Sequence, residues 1–238
     1  MVVFGQATGL REISGKDTIV SLKILKYRKY VNLTEPGMAL TGSLSMPILR
    51  ALDGRSQPAS AAQISRTMEF GTPAGIRRAL ERLSLHGVCE RNELGGRTLY
   101  SLNYEHVMYP AIRHALDCSN LFVKDLQRKL SKWEIPPLSA VLFGSAARRN
   151  GDIESDIDIL LVRPFLRSGE LQRSWAPQVH DLRSQVQKWT GNHLQAVDWS
   201  KKQLRQVEAR QEALLEEIEA DGIHLYGSSL NDLMARAG

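Results

Sequence analysis

Between Ser43 and Leu102 apolar residues recur at helical spacing three times, and the period then shortens to two. In SMPILRAL the spacing turns Ile48 and Leu52 inward, and SAAQISRTM is a second helix started by Ser60, whose hydroxyl suits a helix cap. A third helix is predicted behind Thr72 as cap with Pro73 at its first position, and Ile76, Leu80 and Leu83 share one face. Gly87 closes that helix. VCERNELGGRTLYSL then reads as two strands around Gly95-Gly96, so the order is helix, helix, helix, hairpin. Residues 103–136 are predicted to be helical on both sides of Pro110, with Leu121, Leu126 and Leu130 as a partial stripe, up to the stiff Pro136-Pro137 pair. Beyond it SAVLFGS reads as a short buried strand that stops at Gly144-Ser145, and DIDILLV as a second strand that begins at Asp156. LQAVDW gives a further strand. A helix over 201–220 follows, whose Leu204, Val207, Leu214, Leu215 and Ile218 are expected to cover a sheet, with a coiled-coil homodimer as the other reading of that stripe. Upstream, TIVSLKILKYRKYVNL could form one or two strands before the Pro36-Gly37 turn signal, and Met38 is a conceivable alternative start that the N-terminal mass of the native protein would test.

The pattern implies an α+β chain of four parts: an extension over 1–37, a helical and hairpin domain over 38–102, a helical connector over 103–137, and a second domain over 138–238. Composition changes this little. Hydrophobic residues at 42% and charged residues at 24% are ordinary for a water-soluble protein. No apolar run approaches the ~20 residues of a membrane span, and the N-terminus lacks a secretory pattern. A cytoplasmic location is therefore expected. Cys89 and Cys118 are too few for a disulfide framework. His114 and Cys118 lie four apart on a predicted helix, but without further ligands a zinc site is not expected. A net charge of +5 is compatible with a polyanionic partner without requiring one.

The helix-helix-helix-hairpin order over about sixty residues resembles a winged helix-turn-helix domain. A helix in the major groove needs short or basic residues on its exposed face, and a wing tip can reach phosphate or the minor groove. Thr72, Ala74, Arg77, Arg78 and Arg97 fit those DNA-binding roles. The alternatives are an ordinary solvated face and a protein-interaction module, but arginine without lysine on the exposed face favours nucleic acid.

The chemistry resides in residues 140–162, AVLFGSAARRNGDIESDIDILLV. If the two strands pair antiparallel, the glycine and serine leaving one lie beside the aspartates entering the other. Asp156 and Asp158 are two apart, so in a strand both leave one face and form a site for a hard cation such as Mg2+. Gly144 lets backbone approach a phosphate, Ser145 offers a hydroxyl and an amide, and Arg148 adds positive charge.

Gly-Ser, nine residues, then Ser-Asp-Ile-Asp is similar to the minimal nucleotidyltransferases of the DNA polymerase beta-like superfamily. The resemblance implies a mixed sheet flanked by helices over roughly 138–235, with DGIHLYGSSLNDLM as its closing strand and short helix. It assigns triphosphate binding to Gly144 and Ser145, with Arg148, Arg149 and Ser155 as further candidates for contact with the nucleotide. Two Mg2+ ions fall to Asp156 and Asp158, with Asp198 as the candidate third carboxylate. Arg149 departs from the family, which commonly has glycine there. The implied reaction moves a nucleoside monophosphate from an NTP to a hydroxyl with release of pyrophosphate. The acceptor would be a protein such as a partner toxin, an RNA 3′ end, or, least favoured, a small molecule. The rival expectation is a DNA-binding regulator, antitoxin-like, that senses a nucleotide without turnover.

Overall fold

The computed structural model describes residues 34, 36–37, 44–68, 70–151, 155–167 and 169–235, and the expected strands upstream of Pro36 lie outside them. Helices α1 (Ser45–Leu52), α2 (Ala61–Arg66) and α3 (Pro73–Leu85) precede the strands β1 (Cys89–Leu94) and β2 (Arg97–Leu102). Local chemistry accounts for the boundaries. The hydroxyl of Ser60 accepts from the Gln63 amide while the Gln63 side chain accepts from the Ser60 amide, a reciprocal cap. Thr72 caps α3 ahead of Pro73. Gly95 and Gly96 both take positive φ, 57° and 72°, the twist a two-residue hairpin requires. A bridge between Ala59 and Tyr100 ties the segment before α2 to β2. Ile48, Leu52, Ile64, Ile76, Leu80 and Tyr100 form the core, and the arrangement is a winged helix-turn-helix.

The connector differs from expectation. Residues 103–108 are turns, and Pro110 stands in the first turn of α4 (Tyr109–Leu116) rather than between two helices. Leu116 of α4 packs into the winged-helix core, with Tyr109 and Ile112 against it. In α5 (Cys118–Leu130), Leu126 and Leu130 pack instead into the core of the second domain with Trp133. Asp117 alone separates the two helices.

The second domain is a four-stranded mixed sheet in the order β5-β4-β3-β6. Its strands are β3 (Ser139–Phe143), β4 (Ile157–Arg163), β5 (Leu194–Ser200) and β6 (Ile223–Gly227). β3 runs antiparallel to β4 and β6, and β4 parallel to β5. β3 and β4 are central and buried on both faces, as their near-continuous apolar runs require. One face is covered by α5 and by α7 (Ala176–Thr190), which a short π-helical turn at Leu171–Trp175 precedes. The other is covered by α8 (Lys201–Ala209), α9 (Ala213–Asp221) and α10 (Leu230–Ala235). The single helix expected over 201–220 is thus two, interrupted where Gln211 turns to φ 52°. Its apolar stripe covers the sheet as predicted, with Leu204, Val207, Leu215 and Ile218 buried. Among the described residues no helix is long and apolar enough to cross a membrane.

Candidate active site

Antiparallel register sets Phe143 opposite Asp158, so the chain leaving β3 turns directly over that carboxylate. Gly144 makes the turn at φ 68°, and a Cβ there would stand 2.5 Å from Oδ2 of Asp158. The glycine is therefore required by the aspartate, a constraint additional to phosphate approach. Ser145 follows in the five-residue helix α6 (Gly144–Arg148). Together with Gly151, Ser155, Asp156, Asn192 and Thr34 it lines one small cavity. Thr34 Oγ1 donates to the Gly151 carbonyl at 3.0 Å, and Asn192 Nδ2 to the Ser155 carbonyl at 3.0 Å.

Asp156 precedes β4, which starts at Ile157, so the pleat of a strand does not by itself align it with Asp158. The two carboxylates are nonetheless neighbours. Partial burial pushes the Asp158 carboxyl above its ordinary value, and the charges of Asp156 and Glu217 push it further, while Arg148 opposes them. Gln195 Nε2 donates to Asp156 Oδ2 at 3.3 Å. In the parallel register Gln195 is level with Asp158 and shares its face of the sheet.

Asp198 does not complete this constellation, contrary to expectation. It is level with Leu161 in the register, three positions past Gln195, so the alternation along β5 turns it to the opposite face, that of Ile157, Ile159 and Leu161. There Arg163 Nη1 donates to its Oδ1 at 2.7 Å and the indole Nε1 of Trp175 to its Oδ2 at 3.0 Å. These contacts join β4, β5 and the π turn.

The two arginines after Ser145 also have protein partners. Arg148 donates through Nη1 to Glu217 Oε1 and lies 3.8 Å from Asp221, both on α9. Neither acid was singled out from sequence, although a pair four apart on one helix is the available signal. Arg149, in the left-handed region at φ 57°, donates through Nη2 to Asn120 Oδ1 and does not line the cavity of Ser145 and Asp156. On the winged helix, Ala74, Arg77, Arg78 and Arg97 are exposed, with Arg77 Nε 4.0 Å from Glu81. Thr72 Oγ1 accepts from the Gly75 amide at 3.1 Å. Arg97 lines an open groove between α2 and the hairpin together with Arg66, a basic residue that sequence reasoning missed.

Two adjacent carboxylates suit a hard cation such as magnesium, which keeps water and phosphate oxygens as its other ligands. Among the described residues no group of three or more His, Cys, Asp or Glu side chains forms a metal site. Residues 122–221 match the family model of the nucleotidyltransferase domain. This segment is a nucleotidyltransferase domain. Its match begins inside α5, in keeping with the burial of Leu126 and Leu130 against the sheet.

Among solved structures, partial similarity extends to a possible HxlR family transcriptional factor from Thermoplasma volcanium GSS1, at 22% identity and TM-score 0.30 over 40% of this chain and 84% of that one. A toxin-antitoxin structure with AMP-PNP is 21% identical at TM-score 0.31, over 50% of this chain and 82% of that one. The transcriptional regulator BldR from Sulfolobus solfataricus is 18% identical at TM-score 0.29, over 52% and 88%. No curated protein matches the chain significantly.

Proposed function

We propose that the chain transfers a nucleoside monophosphate from an NTP to a hydroxyl of a protein or RNA and is brought to DNA by its winged helix. The observation that carries this reading is the Asp156–Asp158 pair beneath the Gly144-Ser145 turn, within a segment that matches nucleotidyltransferases. Ser145 and Ser155, on the cavity wall beside Asp156, offer hydroxyls and amides to phosphate oxygens. Arg148, held near Asp158 by Glu217, offers positive charge to the same anion. The acceptor oxygen forms a bond to the α-phosphorus, the bond from that phosphorus to the β-bridging oxygen breaks, pyrophosphate leaves with the electron pair, and the hydroxyl proton passes to water. Bound magnesium, held by Asp156 and Asp158, supplies the charge neutralisation that in-line phosphoryl transfer needs.

The test incubates the full chain with labelled NTPs, Mg2+ and a lysate of its host. We expect metal-dependent labelling of a protein or RNA, reduced roughly 10³-fold by Asp156→Asn/Asp158→Asn, about 4 kcal/mol of transition-state stabilisation. A second reading, a regulator that binds nucleotide without turnover, is favoured by one observation. The sheet position level with Asp158 carries the amide Gln195, and Asp198 is turned away. Metal-dependent nucleotide binding with no labelled acceptor would select that reading.

A further inference from the structure

Arg149 bears on a second surface. A residue other than glycine in the left-handed region is uncommon and persists where surrounding structure holds it. Its side chain lines an open groove of about 250 Å³ whose opposite wall is the winged helix, from Arg50 and Arg55 at the end of α1 to Thr67 and Phe70 in the turn between α2 and α3. No described acidic residue lines this groove. The Nε of Arg55 donates to the Ala51 carbonyl, which fixes its guanidinium at the helix end. Phe70, 44% exposed, opens its ring to the same groove. It stands two residues before Thr72, the cap of the helix whose Arg77 and Arg78 face solvent.

Guanidinium groups spaced around an aromatic face are the combination that binds single-stranded nucleic acid, where phosphates meet the cations and a base stacks on the ring. We propose that this groove is a binding site for single-stranded nucleic acid, distinct from the duplex-reading face of α3 and the wing, and that it holds an unpaired strand beside the nucleotidyltransferase domain. The inference does not depend on turnover.

The experiment measures fluorescence anisotropy of the full chain with a labelled single-stranded oligonucleotide and, separately, a duplex, across a salt series. Three variants are compared: Arg55→Gln/Arg149→Gly, Phe70→Ala, and Arg77→Ala/Arg78→Ala. Glycine at 149 suits the observed φ, so the first variant retains the fold, checked by thermal melting. The expected result is at least tenfold weaker single-strand binding in the first variant, with the salt slope reduced by roughly 0.7 for each arginine removed. Phe70→Ala should weaken single-strand binding about fivefold or more, as loss of a stacked base would. Both should leave duplex affinity within twofold, whereas Arg77→Ala/Arg78→Ala should do the reverse. Single-strand binding that is absent or unchanged in the groove variants would overturn the proposal. So would equal displacement by a polyglutamate peptide with no effect of Phe70→Ala, since that outcome marks a site for acidic protein. Duplex binding that fails alone counts against the winged-helix assignment and leaves the groove standing.

Discussion

The winged helix and the nucleotidyltransferase domain hold their candidate residues in opposite ways. On the winged helix Arg78 and Arg97 project from the surface, and Arg77 has one distant partner in Glu81. In the second domain the expected charged residues are paired or closely enclosed. Gln195 touches Asp156, Gly144 yields space to Asp158, Glu217 holds Arg148, Asn120 holds Arg149, and Arg163 with Trp175 holds Asp198. A surface that reads a polyanion needs mainly charge and access. A site that must place oxygens around a cation needs each of them fixed beforehand. Substitutions in the second domain should therefore separate residues that do chemistry from residues that only look as if they do.

The sharpest separation comes from Gly144→Ala. The added methyl meets the far end of the Asp158 side chain rather than backbone, so the carboxylate swings aside and the fold survives with a loss of about 1–2 kcal/mol. Magnesium affinity, read by titration calorimetry in the presence of nucleotide, should fall at least tenfold. Unchanged affinity would show that the aspartate is not needed where it stands. Next in size is Asp198. Asp198→Ala removes a carboxylate shared by a guanidinium and an indole in a half-buried setting and should cost roughly 1–3 kcal/mol in denaturant unfolding. Asp198→Asn, which can still accept from the indole, should cost less and leave magnesium affinity within about twofold. A tenfold loss of metal in the asparagine variant would return Asp198 to the site.

The smallest effect concerns pH. A carboxyl whose folded-state value is raised binds its proton more readily folded than unfolded, so the metal-free fold loses stability as pH climbs from the ordinary carboxylate value through the raised one. Asp158→Asn should flatten that decline and raise the metal-free melting temperature at neutral pH by roughly 1–3 °C. Magnesium, which takes the place of the proton, should stabilise the unmodified chain more at pH 7 than at pH 5 and the variant at neither. A variant that melts lower than the unmodified chain at neutral pH would contradict the strained pair.

What sequence made legible tracks the range of the interactions. Helix starts at Ser60 and Thr72, the Gly95-Gly96 hairpin and the β3–β4 pairing depend on neighbouring residues and follow from residue type. The adjacency of Gly144 and Asp158 was legible because the pairing of two consecutive strands sets it. Asp198 was misplaced because β5 carries two polar residues of opposite parity, Gln195 and Asp198, and only the register against β4 decides which one faces the aspartates. The partners Glu217, Asp221 and Asn120 likewise depend on contacts made from distant parts of the chain.

Asp117 ends α4 and begins α5 in a single helical conformation, φ −91° and ψ −1°. One helix is rooted in the first core and the next in the second, so the joint between them has almost no slack. Such a joint has the build of an axle rather than of a tether: one residue, and no free length of chain, stands between the helix of one core and the helix of the other.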